Sequence, residues 1–341
     1  MTPPMQIAND HLAARTLIAD RAGRRASSLW RRADPGALDA SWDRLAPVIL
    51  AGLISAQTAS AGQAEGYVTD VMEAQGFPTD GPGIDPAAFA GVGAEGLEAA
   101  PTLYGAVTQT KTLIGRGMGV GQAFAAGASM MQVLASTLVH DAGRAADKVA
   151  GVAKGGVLYA RVVQPGACSR CAIQASVGYY TKAFQRHPGC RCQTIPVGTT
   201  RDTHDFPDDL FTSPEEYFKS LDEAEQDRVF TRGGAAAIRA GADPISVVNA
   251  RRGMLKTPAG RAQTVKVGER PDGTPILGFV TREGTTRRGQ FGRRAGNYTR
   301  GAGDRYRRTQ TQRLMPETIM QWAADDPNRA VQLLKHYGYI R

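Results

Sequence analysis

Cysteine, histidine and aromatic side chains are scarce in this chain: 4 Cys and 5 His in 341 residues, with 7% aromatic. The histidines stand at 11, 140, 187, 204 and 336. No two are four apart, which excludes the helix of a zincin-type metalloprotease. No Gly-x-Ser-x-Gly elbow occurs. Gly91-x-Gly93-x-x-Gly96 has the letters of a dinucleotide fingerprint, but no strand pattern precedes it and no βαβ unit follows. Gly115 to Gly121 lacks the Gly-Lys-Ser/Thr ending of a P-loop and reads as a hinge. Glu223-x-Glu225 has the lettering of a paired-glutamate transferase site. On a helix those two side chains stand about 200° apart, and Asp222 and Asp227 beside them mark a solvated face. An enzyme is not expected. Uninterrupted apolar runs are short of the ~20 residues that a bilayer requires. The first 25 residues also lack a signal-peptide apolar region. Synthesis in the cytoplasm and no membrane partner are the expectations.

What is present is concentrated in two places. All four cysteines fall in one stretch, Cys168-x2-Cys171, fifteen residues, His187, x2, Cys190, x1, Cys192. Paired thiols at this spacing, closed by a second cluster after a connector of about 12 to 20 residues, suit a tetrahedral Zn(II) site. If the second cluster is extended, Cys190 and Cys192 share a face. Cys168, Cys171, His187, Cys190 and Cys192 are therefore five candidates for four places. A zinc here would be structural, because no Asp or Glu lies between Cys168 and Cys192 to serve as general acid or base. Two disulfides, or buried thiols without metal, are the alternatives; a reducing compartment favours the metal.

The second concentration is charge. The net formal charge is +9, and Arg282, Arg287, Arg288, Arg293, Arg294, Arg300, Arg305, Arg307, Arg308 and Arg313 face only Glu283 and Asp304 in the same segment, ten minus two, or +8. Tyr298 and Tyr306 are interleaved and no lysine occurs there. Guanidinium forks suit phosphates and carboxylates, so this run is a candidate surface for DNA or an acidic partner. A solvated loop that only aids solubility is the alternative reading.

The stretch VLYARVVQPGACSRCAIQASVGYYTKAFQRHPGCRCQTIPV resembles the core of the MuF-like minor head proteins of tailed bacteriophages, also called head morphogenesis proteins. Phe230 to Met254 and Arg313 to Arg341 resemble the actinobacteriophage branch of that family. The resemblance implies a non-enzymatic virion component at the portal vertex or head interior. Its implied partners are the portal protein and major capsid or scaffold proteins, with packaged DNA as a further contact. The alternative is a zinc-containing nucleic-acid-binding protein with an arginine-rich arm.

The composition, 42% hydrophobic with 40 Gly and 19 Pro, exceeds the disorder range and points to many loops and lightly packed helices. Periodicity predicts a mainly helical α+β chain. A helical body spans 1–155, a β-rich Cys/His module 156–200, a helical segment 201–256, a hairpin with the basic loop 257–313, and a helical pair 314–341. Leu38, Trp42, Leu45, Ile49 and Leu53 line one helix face, with a kink or restart at Pro47. Phe124, Met131, Leu134, Leu138, Ala145 and Val149 line another. Asp34-Pro35, Asp85-Pro86, Asp243-Pro244 and Asp326-Pro327 mark four helix starts, and Ser213-Pro-Glu-Glu216 a capping box. Val157–Val163 should pair with Thr194–Val197, and Thr264–Val267 with Ile276–Val280. The basic run, poor in apolar residues, is expected to be extended or disordered.

Overall fold

The computed structural model describes residues 2–93, 96–155, 158–163, 166–175, 190, 192–197, 213–257, 261–269, 272–283, 298–299, 302, 308–324 and 326–340. It is a predominantly helical α+β chain with small antiparallel sheets. It divides into two units, Met1–Gln164 with Gly178–Phe211, and Pro165–Val177 with Thr212–Arg341.

The first unit is built on long helices: α1 (Pro4–Trp30), α2 (Leu38–Gly62), α3 (Ala64–Ala74), α4 (Ala99–Gly115) and α5 (Val120–Ala153). Alanine at many contact positions lets these helices approach closely, and larger side chains fill the remaining space. Trp30, Trp42, Ile49, Leu53, Leu103, Val107, Met131, Leu134 and Leu138 make one core where α1, α2, α4 and the first half of α5 meet. A second core joins α3 and the last turns of α5 to a two-stranded sheet, through Tyr67, Val68, Val71, Met72, Ala146, Ala150, Val162, Ile195 and Val197. That sheet is β1 (Leu158–Val162) and β2 (Gln193–Val197), antiparallel with Leu158 opposite Val197 and Val162 opposite Gln193. All five β2 residues are buried, which fits a strand covered on both faces.

The second unit carries α6 (Ser169–Ala175), α7 (Pro214–Ser220), α8 (Glu223–Phe230), α9 (Arg232–Arg239) and α10 (Pro244–Ala250). Its sheet has the order β3 (Thr264–Glu269), β4 (Pro275–Glu283), β6 (Arg308–Leu314), β5 (Tyr298–Thr299), and α11 (Pro316–Ala323) and α12 (Pro327–His336) follow. Val247, Val280, Leu314, Ile319, Leu334 and Tyr339 form its core, with Trp322, Leu333 and Tyr337 packed against it.

Local signals placed many of these elements correctly. Ser213 and Glu216 make the full reciprocal capping box of α7. Asp243 and Asp326 accept from the first turns of α10 and α12, and Asp85 caps a short 3-10 turn. Both predicted strand pairs form. Other expectations are corrected. Asp34 starts no helix: its carboxylate closes an Asx turn by accepting from Gly36 N at 2.8 Å, and α2 begins at Leu38. Pro47 does not restart α2, which runs continuously to Gly62.

In α5, Ala145 and Val149 are exposed, and the buried face of its second half is Ala142, Gly143, Arg144, Ala146, Asp147 and Ala150. The apolar pattern there was misleading because the helix buries charged and small residues instead. The described end of the basic run is extended, since Arg308–Leu314 is a sheet strand. Finally, Leu38–Ala74 and Val120–Ala153 are long and apolar enough to cross a membrane by length and composition. Small, amide and hydroxyl residues interrupt their apolar runs without adding charge: none occurs between Arg44 and Glu65 or between Arg116 and Asp141. Both are also packed helices of the first unit.

Candidate functional site

Cys190 and Cys192 lead directly into β2 and are 3% and 0% exposed. Their sulfurs stand 2.8 Å apart, so the two side chains do share a side. The backbone that carries them is held from α5. Arg144, itself 2% exposed, donates from Nε to Cys192 O at 3.1 Å and from Nη2 to Cys190 O, while Nη1 reaches the Asp141 carboxylate at 3.3 Å.

The next residue of β2 is held by charge. Arg15 of α1 grips Asp147 of α5 with both terminal nitrogens, each at 2.7 Å. Gln193 closes the ring, accepting from Arg15 at 2.9 Å and donating to Asp147 at 2.7 Å. His11 Nε2 lies 2.6 Å from Arg15 Nη2 and 3.1 Å from Asp147 Oδ1. The His11 ring stacks on Tyr67 at 3.9 Å, and the Tyr67 hydroxyl donates to Thr194 O at 2.6 Å. Gly143 makes this possible, because a Cβ there would stand 2.3 Å from Arg15 Nε and 2.4 Å from Ser60 Oγ. Burial is the main force lowering the His11 pKa below 6.5, and it outweighs the nearby Asp147 carboxylate. Burial alone would raise the Asp147 carboxyl; Arg15 and His11 more than offset it and hold it well below the usual range.

Cys168 and Cys171 are placed by local geometry. Cys168 precedes α6 and its carbonyl accepts from Ala172 N at 3.1 Å, so the second thiol, on the first turn, stands 3.6 Å from the first. The Tyr217 hydroxyl donates to Ala167 O at 2.9 Å, and Arg170 donates to Asn249 Oδ1 at 2.9 Å. Cys171 is buried and Cys168 half-buried, and none of the four cysteines, all of them described, is in a disulfide.

The buried thiols of Cys171, Cys190 and Cys192 form a group that could hold a metal ion. An all-sulfur donor set suits a soft or borderline cation. The 3.6 Å separation of Cys168 and Cys171 matches the edge of a zinc–sulfur tetrahedron, about 3.8 Å for bonds of about 2.3 Å. The 2.8 Å separation of Cys190 and Cys192 would open by about 1 Å to span the same edge. His187 lies outside the described residues.

Of the ten arginines, Arg287, Arg288, Arg293, Arg294, Arg300, Arg305 and Arg307 lie outside the described residues, as does Tyr306. Arg282 is exposed on β4, and Arg308 opens β6 opposite Glu283. Arg313 is turned inward and 4% exposed: it pairs with Glu283 at 2.7 Å, donates to Tyr337 O at 3.3 Å, and lies over the Tyr339 ring at 4.5 Å. It is committed to the fold of the second unit. Glu223 and Glu225 sit in the first turn of α8, with Arg239 and Arg228 as surface partners at 3.7 and 3.8 Å.

Sequence reading missed Arg144 and the His11–Arg15–Asp147–Gln193 ring. The available signals were His11 and Arg15 four apart on α1, and Arg144 and Asp147 three apart on an otherwise apolar helix. Comparison of the chain with protein-family models, with curated proteins and with solved structures found no match.

Proposed function

We propose that this chain is a structural minor head protein of a tailed phage, acting in head morphogenesis at the portal or the inner capsid face. The observation that carries the reading is the Cys168-to-Cys192 stretch, flanked by two strands that pair with each other, in a chain that resembles MuF-like proteins there and in two later segments. The partners are the portal and the major capsid or scaffold proteins, and the location is the virion. Mass spectrometry of purified particles should find the chain, and cryo-electron microscopy should place it at the portal vertex or head interior. Its absence from particles would sink the reading.

One structural Zn(II) belongs to it, held through Cys168, Cys171, His187 and one of Cys190 and Cys192. Three of these thiols are buried, and no carboxylate in the stretch offers acid–base chemistry, so the ion supplies a crosslink. Elemental analysis of chain purified under reducing conditions should return about one zinc per chain, as the four-ligand site requires; no metal would remove it.

The segment from Arg282 to Arg308 contacts packaged DNA or an acidic face of the portal or capsid. On DNA, binding should ignore sequence and weaken steeply with salt. Replacing Arg287, Arg288, Arg293 and Arg294 with Ala should reduce the slope of log affinity against log salt by about 3 to 4. An unchanged slope transfers the segment to a protein partner. The arginine and tyrosine content of the run also favours a second reading, a zinc-containing nucleic-acid-binding protein. That reading expects tight DNA binding by a chain that is absent from particles.

A further inference from the structure

The environment of Cys190 and Cys192 is more specific than a pair of buried thiols requires. One guanidinium, deep in the first unit, holds the carbonyls of both residues, from Nε at 3.1 Å on Cys192 O and from Nη2 on Cys190 O. A planar fork on two carbonyls fixes the direction of both. Directly beyond, Gln193 is pinned by Arg15 at 2.9 Å and Asp147 at 2.7 Å, and Thr194 O by Tyr67 at 2.6 Å. The carbonyls of Cys190, Cys192 and Thr194 and the side chain of Gln193 are therefore fastened, and the sulfurs project together, 2.8 Å apart.

We infer that Cys190, Cys192 and Arg144 form a preorganised dithiol clamp for one soft, thiophilic centre, in which Arg144 is the positioning residue and touches no ligand. The clamp rests on the metal reading above only for zinc as its natural occupant. Its chemistry is that of two thiols held close in space. Two S–H bonds break, two bonds to the centre form, and the protons leave with solvent or with an oxide. With phenylarsine oxide the two thiols give one cyclic dithioarsinite and one water, and arsenic stays trivalent throughout.

The experiment uses the full chain carrying Cys168→Ser and Cys171→Ser, so that only Cys190 and Cys192 remain. Phenylarsine oxide is titrated to equilibrium, and both the residual thiols and the intact mass are measured. One arsenical per chain with loss of both thiols is expected, bound at least about 10-fold tighter by the folded chain than by the same chain in urea. Arg144→Met should weaken binding about 10- to 100-fold, as loss of an outer-shell partner does at metal sites. Arg144→Lys, which keeps a donor for one carbonyl, should recover part of it. Equal affinity in the folded and urea-unfolded parent overturns the clamp, as does an Arg144→Met chain that binds like its parent. If circular dichroism shows that Arg144→Met does not fold, the comparison of folded with unfolded parent decides alone.

A parallel titration of the unsubstituted chain with Zn(II) separates the two claims. A chain that ignores zinc while the arsenical result stands loses the zinc assignment and keeps the clamp. Tight zinc binding with no arsenical preference for the folded state does the reverse.

Discussion

The two cysteine pairs are positioned by opposite means. Cys168 and Cys171 owe their 3.6 Å separation to a helix start, a geometry set by neighbouring residues and trimmed by two contacts, Tyr217 with Ala167 and Arg170 with Asn249. Cys190 and Cys192 are held by a buried polar assembly reaching from α1, α3 and α5, in which Arg15 bonds Gln193 across 178 residues of sequence. A helical turn can present two thiols without tertiary help. Cys190 and Cys192 lie outside any helix, and buried charge holds their carbonyls instead.

The comparison is broken most severely at Asp147. Asp147→Asn leaves Arg15 buried without its anionic partner, and losing one member of a buried pair costs about 3–5 kcal/mol. Urea denaturation of the full chain should show the loss. The Cys190–Cys192 thiols should become reactive to an aromatic disulfide reagent, while those of Cys168 and Cys171 keep their wild-type rates. Equal acceleration of all four thiols would mean that the two pairs do not depend on separate supports.

On the other side, Tyr217→Phe removes one hydroxyl and strands the Ala167 carbonyl, at a cost of about 1–3 kcal/mol. Hydrogen exchange should loosen α6 and α7 and leave β2 protected. Loss of protection in β2 would contradict the local account of the Cys168–Cys171 pair.

The smallest effect is a pH dependence confined to the polar assembly. Burial lowers the His11 pKa below 6.5 in the fold. Its stabilising contribution is complete above that value and is lost as pH falls below it, because the unfolded chain then binds a proton that the folded chain refuses. Asp147, held low, keeps its own contribution until far more acidic pH. The fall in unfolding free energy between pH 7 and 5 should be smaller in His11→Gln than in the parent, by no more than one proton in slope. An identical slope in both would place the titration elsewhere.

How much could be read without the structure follows the same division. The capping box at Ser213, the caps at Asp243 and Asp326, the pairing of β1 with β2 and of β3 with β4, and the mainly helical class were legible, because each is written within a few residues or in a simple alternation. Asp34-Pro35 shows the limit even there, since the same two letters serve an Asx turn and a helix start, and only the following Gly36 contact distinguishes them. The four cysteines and the basic run were legible as chemistry. Which of their members are committed inward was not: Arg313 carries the same letter as the exposed Arg282, and burial against Glu283 and Tyr339 separates the two.

The sequence by itself determined the helices, their caps, the strand pairs and the concentration of thiols in one stretch, because backbone hydrogen bonding and apolar periodicity act over short range. Tertiary structure decided that the second half of α5 buries Arg144 and Asp147 while exposing Ala145 and Val149. A charge enters a core only where its partners already wait, and those partners, Arg15, Gln193 and the carbonyls of Cys190 and Cys192, come from helix and strand segments that meet only in the fold.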